Sequence, residues 1–186
     1  MNILAPRHDQ AAAIRPADRS EITEISSLIA AAFEPFRSHA PAEALRLYIE
    51  NSRSIDERWD HGQVLVLDHN GRIVATVTYY ADAMLDGPGW QHGFAGFRTL
   101  AVHPRARSHG FCRRLVDRCI DNARRDGAKA VGIHSAAFME RACGMYERAG
   151  FVRCPKYDIY ASSILGFDRS LGDELVIAYE LPLMVS

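Results

Sequence analysis

Apolar residues recur along this chain with two different periods, and the switches between them mark out its elements. Ile14-Arg15-Pro16 reads as a short first strand. Asp18 then opens a helix, and Glu21 three residues on completes a capping box. Ile22, Ile25, Ile29 and Phe33 give that helix its apolar stripe. Pro41 suits a first helical position, with Ala44, Leu45, Tyr48 and Ile49 following at helical spacing. Residues 63–67 and 73–80 are strand-like, and Asp68-His69-Asn70-Gly71 between them is a hairpin turn. Ala83 to Gly93 holds three glycines, a proline and Trp90, and reads as a loop. Residues 94–102 are apolar on both parities, as in a strand covered on both faces. From about Gly110, Cys112, Leu115, Val116, Cys119, Ile120 and Ala123 line one face of a long helix that stops at Gly127. A buried strand over 128–134, a shorter helix over 141–149 ended by Gly150, a strand around 152–160 and a last strand over 174–181 complete the series. The order predicts an α/β (α+β) architecture, a mixed sheet with helices on both faces.

The 186 residues are 48% hydrophobic, enough for one domain to bury a core of its own. Residues 1–11 read as a flexible leader and 12–186 as a single domain. Charged residues make up 24% and the formal net charge is -1, which argues against a nucleic-acid or anionic membrane partner. No apolar run approaches the roughly 20 residues that cross a bilayer. Cys112, Cys119, Cys143 and Cys154 show no Cys-x-x-Cys spacing, so free thiols, no metal and a cytoplasmic location are the expectation.

Two segments bear chemistry. In Leu100-Ala101-Val102-His103-Pro104-Arg105-Ala106-Arg107-Ser108-His109-Gly110-Phe111-Cys112 a buried strand ends, a polar turn follows and a helix starts at a glycine. Free N–H groups and the dipole at a helix start favour an anion, and Arg107, Arg113 and Arg114 add charge around it. The second segment, Arg141 to Phe151, includes Tyr146-Glu147-Arg148-Ala149-Gly150. Alone, the first also reads as an ordinary strand-to-helix turn, and the second as an amphipathic helix with Met145 and Tyr146 in the core.

Taken in order, the two segments resemble the GCN5-related N-acetyltransferase (GNAT) superfamily. Its acyl-CoA motif, Arg/Gln-x-x-Gly-x-Gly/Ala, corresponds to Arg107-x-x-Gly110-x-Cys112 after Leu100-Ala101-Val102-His103-Pro104. Its later motif corresponds to Ala142-x-x-x-Tyr146-Glu147-x-x-Gly150-Phe151. The resemblance implies the acyl-CoA N-acyltransferase fold, a mostly antiparallel sheet of six to seven strands flanked by about four helices. It implies acetyl-CoA as cosubstrate, its pantetheine arm between two splayed parallel strands, 97–102 and 130–134. That arm would bond to the backbone of Leu100, Ala101 and Val102, and the pyrophosphate to N–H groups of Ser108, His109, Gly110, Phe111, Cys112 and Arg113, beside Arg107. Tyr146 would be the general acid to the departing thiolate.

Cys112 stands where glycine or alanine is usual, and Met139 where an asparagine often contacts pantetheine. Gly96 replaces a glutamate found in many family members, which leaves the general base open among His134, Glu140, His92, Glu34 and a water relay. For the acceptor, the resemblance points to Phe33, Glu34, Phe36, Tyr80 (or Tyr79 beside it), Arg98, the 87–92 loop and residues 162–173. Arg98, on a buried strand, needs either a substrate carboxylate or an internal acid. The expected acceptor is a primary amine, with a small molecule ahead of a protein N-terminus or lysine. The resemblance is also compatible with a homodimer. A non-catalytic acyl-CoA-binding module is the alternative.

Overall fold

The computed structural model describes residues 12–38, 42–86 and 89–183; the leader expected over 1–11 and the helix start at Pro41 lie outside them. The chain builds one eight-stranded sheet. Its strands are β1 (Ala13–Pro16), β2 (Gln63–His69), β3 (Arg72–Tyr80), β4 (Phe94–Val102), β5 (Ala130–Ala136), β6 (Val152–Arg153), β7 (Ile159–Tyr160) and β8 (Leu175–Pro182). Six helices accompany them: α1 (Ile22–Phe33), α2 (Ala42–Arg53), α3 (Ile55–Trp59), α4 (Phe111–Arg125), α5 (Glu140–Arg148) and α6 (Ala161–Leu165). The strand order is β1-β2-β3-β4-β5-β8-β6, with β7 also on β8. Every pairing is antiparallel except β4 with β5.

The expected architecture holds, with eight strands rather than six or seven and six helices rather than about four. The surplus helices, α3 and α6, are too short to show a period, and the surplus strand arises because one expected strand is present as two pieces, β6 and β7. The strand expected over 152–160 is divided because Pro155 starts a 3-10 turn through Tyr157. The capping box forms as read: Asp18 accepts from Ser20 N at 2.8 Å, and Glu21 accepts from Asp18 N at 2.8 Å. It opens a 3-10 turn that leads into α1.

Two cores flank the sheet. Leu115, Val116, Cys119 and Ala123 of α4 pack with Leu65, Leu67 and Val77 on one face. Ile25, Leu28 and Ile29 of α1 pack with Leu45, Val64 and Val66 on the other. On β4, Ala95 and Phe97 face α4, yet further along Ala101 belongs to the α1 face. The change of parity has a definite cause. Thr78 pairs with Arg98 and Thr76 with Ala101, so Thr99 and Leu100 together oppose Val77 alone. This is a β-bulge, and Thr99 sits in it at φ 56°. The apolar residues on both parities therefore reflect a strand that switches faces as well as one covered on both sides.

Both long helices end as their glycines suggest. Gly127 N donates to Arg124 O and Ala128 N to Ala123 O. Gly150 N donates to Glu147 O and Phe151 N to Tyr146 O. Each pair is a Schellman cap, with the glycine at positive φ.

Leu115 is fully enclosed between α4 and the sheet. Leu115→Ala is expected to lower the unfolding free energy by about 2–5 kcal/mol, measured by urea denaturation. A loss under about 1 kcal/mol would mean that the site collapses around the deletion, contrary to a close-packed core.

Candidate active site

Strands β4 and β5 stay together only briefly. Phe94, Ala95 and Gly96 pair with Ala130, Val131 and Gly132, and beyond them the strands part. β5 remains on β8 through Ala136, and β4 remains on β3 through the bulge. The gap thus leaves the β5-facing backbone edge of residues 97–102 outside any ladder.

The closed end of the gap is tightly filled. Trp90 lies over Gly132, where a Cβ would meet its ring carbons at 2.5–2.7 Å. Trp90 also packs against His134 and Tyr157, at 4.8 and 4.9 Å between ring centroids. A Cβ on Gly96 would lie 3.1 Å from Ala83 Cβ and 3.1 Å from Gly132 O. The position of the family glutamate is therefore sealed by packing.

The open end leads into a cavity of about 110 Å³ on the face that carries α2. Phe97, Arg98 and Thr99 of β4 and His134, Ser135 and Ala136 of β5 form its floor. Leu45 and Tyr48 of α2, Met139, and Ile164 and Leu165 of α6 form its walls, with Glu174 and Val176 at the start of β8. Thr99 Oγ1 is buried with no hydrogen-bond partner among the described residues. A buried hydroxyl left unsatisfied at a bulge inside a cleft fits a site that receives a polar ligand.

At the end of β4 the chain turns through residues 103–110 into α4. Ser108 and Gly110 both have positive φ, 69° and 74°. Gly110 is the N-cap of α4 and no side chain caps the helix, so the first-turn N–H groups of Phe111, Cys112 and Arg113 keep their donor capacity. A Cβ on Gly110 would meet nothing within 4 Å, so the approach to these donors is open. This arrangement suits a diphosphate. Arg107 is not a free charge beside it: its Nη2 donates to Ala32 O at the end of α1, at 2.8 Å. Arg113 pairs with Asp117 at 2.7 Å. His109 Nδ1 lies 2.8 Å from Arg107 O, and its ring stacks on Phe111. An anion here would be met by the backbone N–H groups more than by these arginines. Burial raises the Cys112 thiol to about 11, so it stays protonated.

Tyr146 is buried among Phe97, Phe151 and Tyr179, with ring centroids 5.9–6.3 Å away. It does not line the cavity, whereas its neighbour Phe97 does. Burial raises its pKa well above the ordinary tyrosine value, and Cys112 and Tyr48 add to the shift. Those two neighbours place the phenol between the start of α4 and a cavity wall. The phenol therefore carries its proton at neutral pH.

His134 does line the cavity. Its Nε2 lies 2.9 Å from Tyr157 O, and a carbonyl only accepts, so Nε2 carries the hydrogen. Nδ1 then holds the lone pair. Burial lowers the imidazole pKa, with Arg98 adding to the effect, so the ring is neutral at pH 7.

Several expected residues lie elsewhere. Glu140 is exposed in the first turn of α5, and His92 is exposed in its loop; neither lines the cavity. Glu34 is exposed and bound to Arg37 at 2.7 Å. Phe33 is a core residue, packed on Tyr48 at 5.2 Å, and Phe36 contacts Phe138 behind the cavity wall. Tyr80 is buried and Tyr79 bonds to Asp126 across the other face; neither reaches the cavity. Arg98 does line it, and its Nη2 donates to the amide oxygen of Asn51 on α2. Trp90 of the 87–92 loop lines the cavity as expected, and Tyr48 and Glu174 are cavity residues that the sequence did not single out. Glu174 had a local signal, as an acidic residue in phase with the pocket face of the last strand.

A sequence profile described as Acetyltransferase (GNAT) family matches residues 23–151. Comparison with curated proteins returns no match. Among solved structures, a GCN5-related N-acetyltransferase from Rhodopseudomonas palustris superposes with a TM-score of 0.69 at 15% identity, over 94% of this chain and 98% of that one. The PaiA N-acetyltransferase from Thermoplasma acidophilum in complex with coenzyme A gives 0.68 at 10%, over 92% and 100%. A GNAT family acetyltransferase from Brucella melitensis in complex with acetyl-CoA gives 0.55 at 19%, over 76% and 82%.

The sealed glycine yields a clear expectation. Gly96→Glu should lower stability by about 1–3 kcal/mol, read from the shift in denaturation midpoint, and should not raise activity. A stable, faster variant would show that a carboxylate fits there after all.

Proposed function

We propose that this chain, which belongs to the GNAT acetyltransferase family, moves an acetyl group from acetyl-CoA to a primary amine by direct attack. One observation supports this reading above the others: β4 and β5 part beside an uncapped helix start, with a protonated phenol on one side of the gap and a neutral imidazole on the other.

Acetyl-CoA supplies the activated thioester. The N–H groups from Ser108 to Arg113 hold its diphosphate, and the free edge of β4 around Leu100–Val102 aligns the pantetheine arm as an added strand would. Backbone donors near the bulge stabilise negative charge on the carbonyl oxygen as attack proceeds. His134 Nδ1 takes a proton from the amine as the N–C bond forms. The C–S bond breaks, and Tyr146 gives its proton to the sulfur. The products are an acetamide and the coenzyme thiol; His134 then loses its proton to solvent and Tyr146 regains one.

A non-catalytic acyl-CoA-binding role is the second reading, favoured by the sealed Gly96 position. Tight coenzyme binding without thiol release against a broad amine panel would select it.

Tyr146→Phe should reduce kcat on the order of 100-fold or more while leaving the acetyl-CoA Kd from calorimetry nearly unchanged. Equal kcat in both forms would remove Tyr146 from the reaction.

His134 must be neutral to accept a proton, and its pKa lies below 6.5. The kcat/KM profile should therefore be flat through pH 7 and fall only as the pH drops below that lowered value. His134→Gln should abolish this acid limb; an unchanged limb would put the base elsewhere.

A further inference from the structure

The cavity beside β5 has a composition of its own. Leu45, Phe138, Ile159, Ile164, Leu165 and Val176 make most of its wall. Strand alternation puts Glu174 on the same face of β8 as Val176 and Ala178, and Val176 pairs with Ala136 and Ala178 with His134. Glu174 thus lies on the face that carries His134. Its backbone oxygen accepts from Ala161 N, which ties it to the start of α6. Burial raises the pKa of its carboxyl, Asp173 raises it further, and nothing acts in the opposite direction. Asp173 is itself satisfied by Arg169 and Ser162. Glu174 is therefore a partly buried carboxylate beside a mostly apolar cavity, with no ion pair among the described residues; Arg98, which also lines the cavity, bonds to Asn51.

Size limits the occupant. The cavity measures about 110 Å³, whereas an apolar cavity of about 150 Å³ holds one benzene. A short branched alkyl group fits within it and a single ring fills it to its open mouth, whereas most of a peptide or a long polyamine would remain outside its apolar wall.

We infer that the acceptor is a compact, apolar primary amine without a carboxylate, its nitrogen held by Glu174 and its hydrocarbon part by the wall formed with α6. The inference rests on the acetyl-transfer reading above and specifies its substrate class. The amine arrives as an ammonium paired with Glu174, releases one proton to water, and yields the second to His134 as the N–C bond forms.

The test is thiol release from acetyl-CoA with isoamylamine and benzylamine, set against leucine, phenylalanine, spermidine and a peptide with a free N-terminus. The two apolar amines should exceed every other acceptor by at least about 100-fold in kcat/KM, the order expected when one buried charge lacks its partner. Glu174→Gln should raise their KM roughly tenfold or more with a smaller change in kcat. Ile164→Phe, which narrows the cavity without touching Glu174, should disfavour benzylamine more than methylamine. Preference for an amino acid, spermidine or the peptide would overturn the substrate class while leaving acetyl transfer intact. So would a Glu174→Gln variant with unchanged KM. Absence of thiol release with every acceptor, together with no coenzyme binding by calorimetry, would overturn the transfer reading and this one with it.

Discussion

β4 cannot remain in register with both of its neighbours, and the chemistry of this protein follows from how that conflict is resolved. On the β3 side an extra residue is absorbed at Thr99, so the antiparallel ladder resumes at Ala101. On the β5 side nothing absorbs it, and pairing stops after Gly96 and Gly132. The two glycines explain why the strands hold together up to that point. Each lacks a side chain where Ala83 or Trp90 presses on the sheet. The same contacts that clamp the closed end of the gap fill the place where a carboxylate could otherwise stand. Clamping the sheet and losing that acid are one packing decision.

The second motif joins structure to chemistry in a similar way. Tyr146 carries the carbonyl that accepts from Phe151 N, and its ring meets that of Phe151. A Schellman cap with its usual hydrophobic contact therefore fixes the backbone and ring of the residue proposed as acid. Glu147 takes part twice, through its carbonyl to Gly150 N and through its carboxylate to Tyr179 at 3.1 Å. The spacing Tyr-Glu-x-x-Gly-Phe reflects helix termination as much as reactivity.

Around the gap, environment rather than residue type assigns the roles. Tyr146 and His134 both lie in low-dielectric surroundings, and burial drives both toward their neutral forms. For a phenol that means holding a proton, and for an imidazole it means offering a lone pair. Tyr157 O fixes which nitrogen offers it. The proposed acid and base would thus work at neutral pH without needing a buried ion pair between them, whose desolvation costs several kcal/mol per ion.

Whatever is written within a few residues of chain was legible beforehand. The apolar periods placed α1, α4 and α5 and the longer strands, and the capping box at Asp18 formed as read. Gly127 and Gly150 ended their helices, and α4 started at Gly110 as read, because caps and amphipathic stripes depend on neighbours one to five positions away. The five-residue helices α3 and α6 were not legible, since no period can be seen in so short a stretch, and neither was the division of the strand expected over 152–160 into β6 and β7. Nor were the partners of single side chains. Arg98 meets Asn51, 47 positions earlier, and Arg107 meets Ala32, 75 positions earlier. Glu174 reaches the pocket face only because β8 returns beside β5. Sequence by itself determined the local hydrogen bonding and the apolar faces; which distant surfaces those faces met, and so which charges were spent on structure and which faced the gap, was decided only when the sheet closed, because burial and electrostatic environment belong to the assembled chain.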